Sequence, residues 1–162
     1  MVAALAGSSF AATQDAFTPQ GSISAHASLT VTPQPGNNAL NLTRDQSADL
    51  LIAIVNEDCN NNGGYTVTLS SAMAVTRGSG TQAKMVGTLP NASTADTLDY
   101  FIKYGGVPVS LSGGSAVVTN ATKKTTGQGV NKNLTITYSA ANAFLTADTY
   151  SDTLTLTIAS KP

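Results

Sequence analysis

The run NLTITYS, residues 133–139, sets Leu134, Ile136 and Tyr138 on one side of an extended chain and Asn133, Thr135 and Thr137 on the other. A period of two belongs to a half-buried strand and does not fit the 3.6-residue period of a helix. The same alternation returns in YTVTLS (Tyr65, Val67, Leu69) and in TLTLTIA (Leu154, Leu156, Ile158). In SISAHASLTV, residues Ile23, Ala25, Ala27, Leu29 and Val31 share one face, with Ser22, Ser24, His26, Ser28 and Thr30 opposite. Leu50–Val55, LLIAIV, is apolar on both faces, as a central strand is. LDYFIKY passes through Gly105-Gly106 into VPVSL, AVV follows Gly113-Gly114, and ALNL follows the breaker TPQPGNN. Only SAANAFLTA, residues 139–147, tolerates a helical turn or two. The pattern predicts an all-β protein: an antiparallel immunoglobulin-like β-sandwich of seven to nine short strands.

A length of 162 residues suits one domain with one continuous core, and no internal repeat or composition shift marks a second. Charged residues make up 10% of the chain, and Thr, Ser, Asn and Gly supply the polarity instead. With 41% hydrophobic residues this is the composition of a folded chain, not a disordered one. A net charge of −1 with scattered Lys and Arg leaves no footprint for nucleic acid or an anionic membrane. No stretch reaches the roughly 20 apolar residues that span a bilayer. Residues 1–11, MVAALAGSSFA, read as a signal-peptide remnant without its basic start, with Ser9 and Ala11 as the small residues before a cut. That places the protein outside the cytoplasm. The alternative is a small-residue tail on a protein that is never exported. Residues 12–27 then form an N-terminal extension and 28–162 the sandwich.

Reactive and metal-binding side chains are densest in NEDCNNNGGYTVTLSS, residues 56–71. Asp58, Asn60, Asn62 and Gly63 copy the opening of a calcium loop, yet its twelfth position, which needs a bidentate glutamate, holds Leu69. Asn-Gly and Gly-Gly between two strand-like runs predict a hairpin corner instead. Cys59 is the only cysteine, so it has no internal disulfide partner, and beside Glu57 and Asp58 in a turn it reads as a passive thiol. His26, the single histidine, falls on the polar face of its strand, away from any Ser-His-Asp or Cys-His site. Asp148 and Asp152 are close enough in sequence to be weighed as a glycosidase pair, but a structural role for Asp152 argues against it. RGSG and SGGS lack the Lys-Ser/Thr of a phosphate cradle. Four sequons, at Asn41, Asn91, Asn120 and Asn133, are what chance gives a Thr- and Asn-rich chain. No catalytic residue, cofactor or metal is predicted.

ADTYSDTLTLTI, residues 147–158, resembles the closing motif of spore coat protein U-like and related fimbrial subunits, in which Gly-x-Tyr-x-Asp precedes an alternating last strand. Tyr150 and Asp152 fall on the motif's Tyr and Asp, and Ala147 or Asp148 stands near its glycine. In physical terms such a Tyr covers the sandwich end and ties its hydroxyl to the chain, while the Asp accepts backbone N–H groups in the turn. CNNNGGYTVTLSS is similar to the end of that family's second strand and its following loop. Family members pair that cysteine with one in the first strand, whereas Ala27–Val31 has none, and the mid-domain tryptophan is missing too.

The resemblance implies a non-enzymatic structural subunit of an extracellular pilus, fimbria or coat, which supports adhesion or biofilm. Its partners are then other copies of itself or related subunits, with a periplasmic chaperone and an outer-membrane usher on the way out. Subunits of that kind lack one strand and receive it from a neighbour's N-terminal segment. Here the candidate donor residues are Ile23, Ala25, Ala27 and Leu29. The alternation fits equally a first strand paired within its own domain. The other reading, from a different class, is a monomeric secreted sandwich binding carbohydrate or another surface ligand through its loops. The absence of Trp and an aromatic content of 6% weigh against a sugar platform.

Overall fold

The computed structural model describes residues 16–77, 80–89, 95–141 and 143–162. The expected signal remnant 1–11, residues 12–15 of the extension and the Asn91 sequon lie outside them. Among the described residues the order is β1 (Ala27–Pro33), β2 (Gln46–Cys59), β3 (Tyr65–Ser71), α1 (Ala72–Arg77), β4 (Ala83–Val86), β5 (Thr97–Tyr104), β6 (Val107–Val109), β7 (Ser115–Ala121), β8 (Val130–Tyr138) and β9 (Leu154–Ser160). All pairings are antiparallel. The larger sheet runs β1-β2-β8-β5-β4, with β6 also on β5, and the smaller runs β7-β3-β9. Inward residues of both sheets, among them Val55, Leu69, Tyr100, Leu134 and Ile136, close one main core. The chain is an antiparallel, immunoglobulin-like β-sandwich.

β2 lies between β1 and β8, which explains its apolar character, and a register shift explains why both of its faces read as inward. Leu50 pairs with Ile136 and Leu51 with Thr135, but Ala53 pairs with Leu134, so Ile52 is the extra residue of a bulge. Parity therefore changes at Ile52, and Leu50 and Ala53 both reach the core.

The glycine-rich corner differs from a hairpin. β2 and β3 belong to different sheets, so residues 60–64 carry the chain across the sandwich instead of closing a two-strand ladder. Gly64 sits at φ +86, and a Cβ there would lie 2.2 Å from the carbonyl oxygen of Ala121. Only glycine fits that crossing. Cys59 is the last residue of β2, not a turn residue, and is buried with Tyr65 and Val67 in a second small core cluster. SAANAFLTA forms no helix in its described residues; the one short helix among the described residues of the chain follows β3, at Ala72–Arg77.

The first strand starts later than the alternation suggests, at Ala27, and pairs along its whole length with β2. Ala27 stands directly opposite Cys59. The Asn60 N–H donates to the His26 carbonyl, so 26/60 is the bonded pair and 27/59 the close, non-bonded one. Such pairs have Cα atoms about 4.5 Å apart, within disulfide range. An Ala27→Cys variant should therefore oxidise to a 27–59 disulfide and gain about 3–4 kcal/mol, as closure of a loop of that length gives. Urea unfolding with and without reductant measures the gain. Two titratable thiols after oxidation would contradict the register.

Candidate functional site

Two carboxyl groups tie the sheets together at opposite ends. Glu57 has no exposed surface, and hydroxyls of Tyr65 (2.9 Å), Tyr104 (2.6 Å) and Thr119 (2.6 Å) donate to it from β3, β5 and β7. Burial first, then the bond to Glu57, pushes the Tyr65 and Tyr104 hydroxyls well above their ordinary range, so both remain donors. At the other end Asp152 accepts from the Ser71 hydroxyl (2.6 Å), the Tyr100 hydroxyl (2.6 Å), Met73 N–H (3.0 Å) and Thr153 N–H (2.7 Å). Ser71 in turn accepts the Ala74 N–H at 3.0 Å, so Ser71 and Asp152 together cap α1.

Around Asp152 the chain builds a corner. The Tyr150 hydroxyl donates to the Thr146 carbonyl, four residues upstream, at 2.9 Å. Asp96 accepts the N–H and hydroxyl of Thr146, and Asp148 accepts from Thr88, Leu89 and Thr149. Both Asp148 and Asp152 thus accept several hydrogen bonds from loop and strand groups and brace this corner.

The 56–64 stretch is equally committed. Asp58 takes the Thr125 hydroxyl at 2.9 Å and contacts His26 Nε2 at 3.1 Å. Asn60 accepts His26 N–H and donates to the Ser24 carbonyl, while Asn61 holds Gly63 N–H and the Lys161 carbonyl. These side chains stitch residues 24–26 and Lys161 to the corner. Ser28 Oγ also lies 3.3 Å from Nε2 of His26, the nitrogen that meets Asp58. A proton relay needs acid and nucleophile on opposite ring nitrogens, so this trio is no triad. No group of three His, Cys, Asp or Glu among the described residues is placed to hold a metal.

The feature with room for a partner is an apolar groove of about 1030 Å³ between the sheets. Ile52, Leu134 and Ile136 line it from the larger sheet, and Leu154 and Leu156 from β9. Loops 37–43 and 145–152 form its rim, the first tied by the Tyr138 hydroxyl donating to the Asn41 carbonyl at 3.2 Å. β9 pairs only with β3 among the described residues, so its other edge carries unpaired N–H and C=O groups. Its inward residues Leu154, Leu156 and Ile158 are half-buried, whereas their partners Ser71, Leu69 and Val67 of β3 are fully buried.

The four candidate donor residues separate into two pairs. Ala27 and Leu29 lie in β1, and Leu29 packs on both core clusters. Ile23 (91% exposed) and Ala25 precede β1, exposed, on a segment held only near its end by Asn60 and Asp58. Sequence reasoning missed β4, because a four-residue strand leaves no periodic signal; it expected a groove in a sandwich short of one strand, but not which residues line it. Comparison of the chain with protein-family models and with curated proteins finds no match.

Four surface carboxylates are held below their ordinary value of 3.8: Asp148 by the Thr88 hydroxyl, Asp96 by Thr146 N–H, Asp45 by Ala141 N–H and Asp58 by the Thr125 hydroxyl. A depressed folded-state value stabilises the fold above the unfolded value, and that stability is lost as pH falls through the folded one. Urea midpoints should therefore hold steady from neutrality to about pH 5 and fall below about pH 4. Asp148→Asn should be weaker at neutral pH and show a shallower acid decline. An unchanged slope would mean that Asp148 carries none of it.

Proposed function

We propose that the protein is a non-enzymatic structural subunit that joins copies of itself, or related subunits, by β-strand addition into an extracellular pilus, fimbria or coat serving attachment or biofilm. The observation that carries this reading is β9, a seven-residue strand with a half-wet inner face and a free edge beside an apolar groove. A strand added there completes the smaller sheet and removes apolar surface from water in one step. The proposed occupant is the segment 16–26 of a second copy, which forms no helix or strand of its own, is exposed and carries Ile23 and Ala25 at alternating positions. The closing-motif resemblance at Tyr150 and Asp152 points the same way, and with it come a periplasmic chaperone and an usher as delivery partners. No helix among the described residues is long and apolar enough to cross a membrane.

Light scattering of the purified full chain should show concentration-dependent oligomers. Deleting residues 16–26 should abolish them, and so should Leu156→Asp, which sets a charge on the groove wall. Addition of a peptide spanning 16–29 to the deletion variant should raise its melting temperature by mass action. A deletion variant that associates like the full chain, or that ignores the peptide, would rule out strand addition.

A further inference from the structure

Phe144 combines a left-handed backbone with an almost fully exposed ring. Its φ is +48, a left-handed conformation that glycine and asparagine adopt readily and a bulky aromatic residue adopts at a cost. Its side chain is 93% exposed, so the ring gains no core packing in exchange. The next two residues fix the conformation. Leu145 packs toward the core and lines the groove, and Thr146 is held through its N–H and hydroxyl by Asp96 and through its carbonyl by Tyr150. The loop thus turns Leu145 inward to the groove and leaves Phe144, the residue before it, exposed on the outside. A strained residue on a tightly held loop points to a role outside the fold.

Among the described residues, three large apolar side chains are at least nine-tenths exposed: Phe144, Ile23 (91%) and Phe17 (90%). Two stand on the free N-terminal segment and one beside the groove proposed to receive that segment. Phe17 and Ile23 fall on one face of an extended chain, six residues and about 20 Å apart. We infer that Phe144 is a rim contact for the incoming segment of a second copy, pairing with Phe17 while Ile23 enters the groove. This rests on the strand-addition reading and adds to it a specific aromatic pair. Edge-to-face or offset rings add attraction beyond their buried area, enough to set where the segment stops.

The test uses the full chain in four forms, wild type, Phe17→Ala, Phe144→Ala and the double variant, with self-association constants from sedimentation equilibrium. Each single change should weaken association by about 2- to 10-fold, and the double change should be no weaker than the weaker-binding single one. Phe144→Asn should separate the roles: its dilute monomer should melt higher, because the left-handed strain is relieved, while its association falls. Single effects that multiply in the double variant, or a Phe144→Ala chain that associates like wild type, would overturn the pair. In that event a Leu156→Asp chain that stays monomeric leaves strand addition standing. If Leu156→Asp also associates normally, both ideas fall.

Discussion

Glu57 is the constraint on which the sandwich turns. A carboxyl group taken wholly out of water is costly unless its oxygens are occupied. Here they are occupied by Tyr65, Tyr104 and Thr119, one hydroxyl from each of three other strands in two sheets. The network is satisfied only if β2, β3, β5 and β7 meet in one register, so it excludes slipped pairings that apolar packing alone tolerates. Asp152 applies the same logic at the opposite end, joining β3, β5, α1 and the start of β9. The chain has few carboxylates, and the described ones are spent in this way. Asp45, Asp96 and Asp148 brace loops through N–H and hydroxyl donors, and Asp49 and Asp99 face Lys103 and Lys84 on the outer surface.

Fixing both ends leaves the middle of one side open. β1 pairs with β2 in the larger sheet and β9 pairs with β3 in the smaller, with no strand bonded between β1 and β9 among the described residues. Near Leu29 and Ile158 the gap is filled by the second core cluster; toward Pro33 and Leu154 it becomes the groove. The groove therefore arises from topology rather than from poor packing. Residues such as Leu134 and Ile136 line it and are nonetheless almost fully buried.

How legible this was in the sequence depends on period and length. β3, β8 and β9 alternate cleanly, so their inward residues are the expected ones. β2 hides its parity change behind a run of aliphatic residues, since Ile52 at the bulge is as apolar as its neighbours. The helix at 72–77 is short and depends on Ser71 and Asp152, the latter 81 residues from Ser71 in sequence, which no local pattern carries. The asparagines of the corner resembled a metal loop because calcium ligation and backbone stitching draw on the same oxygen-bearing side chains. Tyr150 and Asp152 were visible as a motif, whereas the residues that line the groove beside them come from two sheets and from no single segment.

The edges of the two sheets differ in a way that singles out β9. Exposed edges invite pairing, and natural sheets blunt them with proline, charge, shortness or a bulge. β1 ends in Pro33, β4 is four residues with Lys84 inside it, and β6 is three residues centred on Pro108. β7 is longer, but its register against β3 shifts between Val67 and Thr68, leaving Val118 as a bulge. β9 is LTLTIAS: seven residues without proline, charge or register shift against β3. A sequence that guards its other described edges and leaves this one regular, apolar on its inner side and adjacent to a groove is what a docking edge requires. The low charge of the chain fits the strand addition proposed above, since a lysine on β9 would disfavour pairing at that edge.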